Sequence, residues 1–251
     1  MSLPAQQPVE PQTAEALVAL SLHAFELARK AAARAGDAVA SGKPELFQEI
    51  ERLEQELDSV DREVDEGMAQ AVTQLSVEQA RELLACLKFT IDLERIGDLI
   101  AGFGARGRAL GPRLEAEDMR HLVEMAAVLE RMLVEAYRAF TTRDLNRAFW
   151  VLKADAEIDR LRNLVFFRHL NPAEGTARSE GVHVVFMAQA LERAGDHATN
   201  LAEEIIHFAS GRSVRHMLQT RDRGSQEQMF LEWLRNQQPQ PRAGGSEPGS
   251  A

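Results

Sequence analysis

The chain has 251 residues, a formal net charge of −10 and one cysteine. That acidic balance excludes a general nucleic-acid binder, whose phosphate contacts need basic surface, and a single cysteine excludes an internal disulfide. No apolar run approaches the ~20 residues of a membrane span, and the N-terminus lacks the basic stretch and apolar core of a signal peptide. A soluble cytoplasmic protein is expected.

Residues 1–12, rich in Pro and Gln, read as a disordered segment. A first helix is predicted over 13–35, broken by Gly36 and by Ser41-Gly42-Lys43-Pro44, where the proline suits the start of the next helix. The second helix, 44–74, carries the seam Ile50, Leu53, Leu57, Val60 and Val64 at alternating spacings of three and four, a bundle pattern. Ser76-Val-Glu-Gln79 is a capping-box pattern opening a third helix over 76–107. Cys86 falls within its apolar stretch and reads as a buried structural thiol. After Gly111-Pro112 the plan restarts, with helices over 116–140, 143–170 and 179–210 and a loop at Asn171-Pro172 and Gly175.

The restart is a duplication. Shifting 38–64 onto 139–165, an offset of 101, superimposes the seam on Val151, Ala154, Ile158, Leu161 and Val165. The expected fold is therefore all-α, two tandem three-helix bundles over 13–111 and 112–212. The extension 213–251 carries the apolar cluster Met229, Phe230, Trp233 and Leu234, read as a short helix before a disordered tail.

Within this frame a five-residue phrase occurs twice, Glu94-Arg95-Ile96-Gly97-Asp98 and Glu192-Arg193-Ala194-Gly195-Asp196. Each copy sets two carboxylates four residues apart, on one helix face. They extend the stripes Leu84, Leu87, Ile91 and Val182, Val185, Gln189, and Asn200 and Glu203 follow in the second copy. Glu54 and Asp58 of the second helix align with Asp155 and Asp159, acidic in both copies. Carboxylates prolonging an apolar stripe should face the bundle or its margin, where unpaired charge costs several kcal/mol. The mid-helix glycines, each costing ~1 kcal/mol relative to alanine, point to close backbone approach. Arg95 and Arg193 could neutralise the acids as ion pairs, or a cation could do so; spacing alone leaves both open. Asp, Glu and Asn oxygens suit Mg, Mn or Fe and accept Zn.

The phrase Leu191–Glu203, with its weaker twin Leu93–Asp98, resembles the signature of the PhoU family, accessory and regulatory proteins of bacterial phosphate transport. The resemblance covers about residues 14–212 and implies a six-helix fold binding metal clusters through the acidic motifs. It implies as ligands Glu192, Asp196, Asn200 and Glu203 with Asp155 and Asp159 in the second repeat, and Glu94, Asp98, Glu54 and Asp58 in the first. Where the first motif should continue with asparagine and glutamate it has Gly102 and Ala105, which favours the second site. The resemblance further implies a non-enzymatic homodimer. It would link the ATPase of a phosphate ABC transporter to a sensor histidine kinase, and hold the phosphate-starvation response off.

Two other readings remain. One is a structural bundle, or an adaptor for another transporter, with ion-paired acids and no metal. The remote one is a di-iron carboxylate enzyme, which needs Glu-x-x-His on two helices. Glu204-Ile-Ile-His207 is one such motif, and Asp118-x-x-His121 has no evident facing partner. No nucleophile elbow or phosphate-binding loop is present in the sequence.

Overall fold

Chain punctuation explains where each helix begins and ends. In the computed structural model, which describes residues 13–71, 75–170 and 179–211, Thr13 caps α1 (Ala14–Ser41) by accepting from the Ala16 N–H. Gly42 ends that helix in the left-handed region at φ 66°, and Pro44 opens α2 (Pro44–Ala71). Ser76 and Gln79 form the reciprocal capping box ahead of α3 (Val77–Leu110), which Gly111 ends at φ 52°. A single 3-10 turn, Gly111–Arg113, leads to α4 (Ala116–Thr142), α5 (Leu145–Leu170) and α6 (Ser179–Ser210). No strand occurs among the described residues. The readings of 1–12, of the Asn171–Gly175 loop and of 213–251 lie outside them.

The helices form the two expected three-helix bundles, α1–α3 and α4–α6. The bundles share one continuous apolar core, with α3 against α6 and α1 against α4. The four inner helices meet in an aromatic chain. Phe25 of α1 packs edge-on to Phe89 of α3, Phe89 to Phe140 of α4, and Phe140 against Phe208 of α6. α1 fits among three neighbours because its inner surface is mostly alanine: Ala24, Ala28, Ala31, Ala32, Ala35 and Ala38 are all buried. Cys86 is buried beside Ser21, and burial pushes its thiol up to about 12, the neutral form expected of a structural cysteine.

Three readings of the sequence need correction. α1 runs through Gly36, which faces Ala126 of α4, and ends five residues later at Ser41. Buried helix contact holds that glycine in helical conformation. α3 continues past Gly107 to Leu110. The stripe on α3 is also not the core seam: Leu84 and Ile91 are 56% and 46% exposed, whereas Leu83, Cys86, Leu93, Ile96 and Ile100 are buried. α3 is covered on two sides, by its own bundle and by α6, so its buried arc is wide and one apolar stripe is left on the flank.

Candidate functional site

The α2 seam Ile50, Leu53, Leu57, Val60 and Val64 is wholly buried, which fixes the rotation of α2 and sets Glu54, Asp58 and Asp61 along its α3-facing margin. The close approach of α2 and α3 depends on Gly97. A Cβ there would lie 2.7 Å from Leu57 Cδ1, and the equivalent Gly195 would bring one to 3.0 Å from Ile158 Cδ1. The duplicated glycines thus do the same job in each repeat, against aligned partners.

In the first repeat, one carboxylate oxygen from each of Glu54, Asp58 and Asp98 lies within 4.8 Å of the others. Oxygens bound ~2.0–2.6 Å from one cation fall about 3–5 Å apart, so the spacing fits a shared ion. The charges are poorly compensated. Burial, then the Asp58 and Asp98 charges, raises Glu54 above the usual carboxylate range. Burial and Asp98 do the same to Glu94, whose ion pair with the exposed Arg95, at 3.5 Å, opposes the shift. Asp61, which the sequence reading passed over, is raised by burial and by Asp65 and Asp58, and its buried Oδ1 has no hydrogen-bond partner. Five acids from two helices therefore share one groove, and an oxygen-only donor set with an orphaned oxygen fits a hard or borderline cation.

The second repeat repeats the backbone arrangement with a different charge balance. Arg162 Nη2 lies 3.2 Å from Asp159 Oδ1 and 3.3 Å from Glu192 Oε1, bridging α5 and α6. The Gln189 amide donates to the other Glu192 oxygen. Asp155 Oδ1 borders the same groove, 3.5 Å from the point a Gly195 Cβ would occupy. Burial raises Glu192 and Asp196, with Asp196 and Asp159 adding respectively, while Arg162 opposes both shifts.

Two expected ligands sit elsewhere. Asn200 donates to Asp92 Oδ1 at 3.2 Å, and His197 Nδ1 meets the same oxygen at 2.7 Å, so Asn200 belongs to the seam between the repeats. Glu203 is seven residues beyond Asp196, about 10 Å along the helix. Among the described residues, the closest convergence of carboxylates is thus in the first repeat, although the sequence favoured the second.

Among the described residues, the Glu-x-x-His alternative gains no facing pair. Glu204 binds Lys88 at 2.9 Å, and His207 is half-buried, with Nδ1 3.6 Å from Glu204 Oε1. Asp118, only 1% exposed, meets Arg168 at 3.2 Å and His169 at 3.0 Å. These partners were invisible in sequence because α5 brings them from its far end.

A family model described as the PhoU domain matches the chain twice, over residues 22–104 and 122–205. The phosphate-specific transport system accessory protein PhoU homolog 1 of Thermotoga maritima is 32% identical over 178 residues, covering 68% of this chain and 75% of the relative. The PhoU homolog of Caulobacter vibrioides is 34% identical over 179 residues, covering 68% and 76%. The crystal structure of PhoU from Pseudomonas aeruginosa superimposes with a TM-score of 0.70 at 25% identity, covering 79% of this chain and 97% of that one. The phosphate transport system regulatory protein PhoU from Streptococcus pneumoniae, at 21% identity and a TM-score of 0.73 over 80% and 97%, shares the fold. With each three-helix unit matched separately and the relatives aligned across both, the chain belongs to the PhoU family.

Proposed function

We propose that this protein is a non-enzymatic accessory regulator of phosphate uptake, cytoplasmic and homodimeric. In this reading it links the ATPase of a phosphate ABC transporter to a sensor histidine kinase and restrains the phosphate-starvation response. Family membership supports the accessory role, since the relatives are phosphate-specific transport system accessory proteins. No described helix is long and apolar enough to cross a membrane.

Metal binding is the part of the reading that the geometry supports best, and the Glu54–Asp58–Asp98 triad carries it. Glu54 and Asp58 would hold a cation from α2 and Asp98 from α3, with Asp61 and Glu94 at the margin. When bound, an Fe, Mn, Zn or Mg ion supplies the positive charge that these five carboxylates lack. Gly97 keeps the two helices near enough for one ion to be reached from both.

The test is elemental analysis of the purified protein, before and after loading with each metal, beside the Glu54→Gln/Asp58→Asn/Asp98→Asn variant. At least one equivalent in the native chain, lost in the variant, is expected. Absence of metal in both after loading would leave the acids as structural groups. The adaptor role is tested by co-purification with the transporter ATPase and the kinase; failure to retain either would remove it. The ion-paired reading keeps one specific support, the Arg162 bridge of the second repeat.

A further inference from the structure

The two acidic grooves are built on one plan, yet a single aligned position gives them opposite character. The offset of 101 that lays the α5 seam on the α2 seam also lays Arg162 on Asp61. In the first repeat that position adds a fifth carboxylate with an orphaned buried oxygen. In the second it places a guanidinium between Asp159 and Glu192. We infer that the second repeat has exchanged its metal site for a tethered cation, Arg162, so that of the two grooves only the first takes up metal.

The exchange is not an isolated substitution. Positions 63, 65 and 66 of α2 are Glu, Asp and Glu, and their counterparts on α5 are Leu164, Phe166 and Phe167. Phe166 is the platform on which Arg162 rests, with the guanidinium carbon 5.2 Å from the ring centroid. The acidic margin of α2 has thus become, on α5, an arginine with its own aromatic support. An arginine remains protonated at every physiological pH and carries no lone pair for a metal. Held between two carboxylates, it meets their charge and blocks the position of a shared ion. The family's acidic plan therefore does not fit a cation here, in contrast with the first groove.

This inference rests on the reading that these grooves take up cations, and its test separates the two. The probe is Mn²⁺, counted as bound equivalents by titration, on the full chain and four variants. Asp159→Asn/Asp196→Asn should bind as much Mn²⁺ as the native protein, because no ion is lost from the second groove. Arg162→Asp, which restores the first-repeat residue type, should bind about twice the native amount. The extra equivalents should vanish when Asp159→Asn is added. Arg162→Gln preserves chain length and guards against misfolding of the aspartate variant. Its lowered thermal midpoint should recover with Mn²⁺ more than that of the native protein does. Native-level binding in a folded Arg162→Asp protein, or a loss of Mn²⁺ in Asp159→Asn/Asp196→Asn, overturns the inference. If the native chain binds none but Arg162→Asp does, the role of Arg162 stands and metal loading of the first groove fails.

Discussion

Gly97 shows how much of this molecule depends on the absence of a single carbon. Its Cβ would fall 2.7 Å from a methyl of Leu57, a fully buried side chain, whereas at Gly195 the nearest atom is 3.0 Å away. Crowding of this kind costs about 1–3 kcal/mol. Alanine returns roughly 1 kcal/mol in helix propensity, so the closer contact decides the sign. Gly97→Ala should lower unfolding free energy by about 1 kcal/mol in denaturant titration, with Gly195→Ala closer to neutral. Equal effects would mean that Leu57 relaxes as easily as Ile158. The glycines were legible in sequence because they recur at matched positions in helices that do not need them. Asp61 and Arg162 were not, although the same alignment pairs them. Attention to positions acidic in both copies passes over one where the charge reverses. Only contact distances identify Arg162 as the counter-ion in place of the expected Arg193, which is exposed.

At the scale of the helix, legibility followed the number of covered sides. α2 and α5 are outer helices with a single buried stripe, and the seam read from spacing is the seam in the structure. α3 is buried against both α2 and α6, and a spacing rule cannot choose between two stripes of similar apolarity. Among the described residues, the α2–α3 and α5–α6 pairs also hold the raised carboxylates: Glu54, Asp61 and Glu94 in one, Glu192 and Asp196 in the other. A carboxylate raised in the folded state binds more protons there than when unfolded. Its ionisation therefore destabilises the fold, and acidification relieves that cost until the ordinary range near ~4 is passed. Metal-free protein should melt higher at about pH 5 than at about pH 7.5, with the gap narrowed in Glu54→Gln/Glu94→Gln. Glu157, lowered by its bond to Arg160, works in the opposite sense but is exposed, so its contribution is small. A midpoint that falls on acidification would show that surface ion pairs outweigh the grooves.

The whole molecule unfolds as its core is arranged. The duplication suggests two separable units, but the aromatic chain from Phe25 through Phe89 and Phe140 to Phe208 crosses from one repeat to the other at Phe89–Phe140. Phe89 is fully buried at its centre. Phe89→Ala should cost about 3–5 kcal/mol and shift one cooperative transition, followed alike by circular dichroism and by tryptophan fluorescence from Trp150 in the second repeat. A first transition that leaves Trp150 unaffected would establish that the repeats melt independently. Sequence gave notice of the six helices and their two-by-three grouping. It could not reveal that the groups merge, because the contacts that merge them join residues more than a hundred positions apart, as Lys88 with Glu204 and Asp92 with His197 do.

Lys88 faces Glu204 while Arg106 faces Phe186, so α3 and α6 run antiparallel. In that register Glu94–Asp98 stands level with Ala194–Ala198. The two grooves share one latitude on a body whose halves follow one three-helix plan. A rigid partner reading contour alone would meet two equivalent ways round. With Asp61 on one side and Arg162 on the other, the molecule has a handed pole of charge, and docking acquires a single preferred heading.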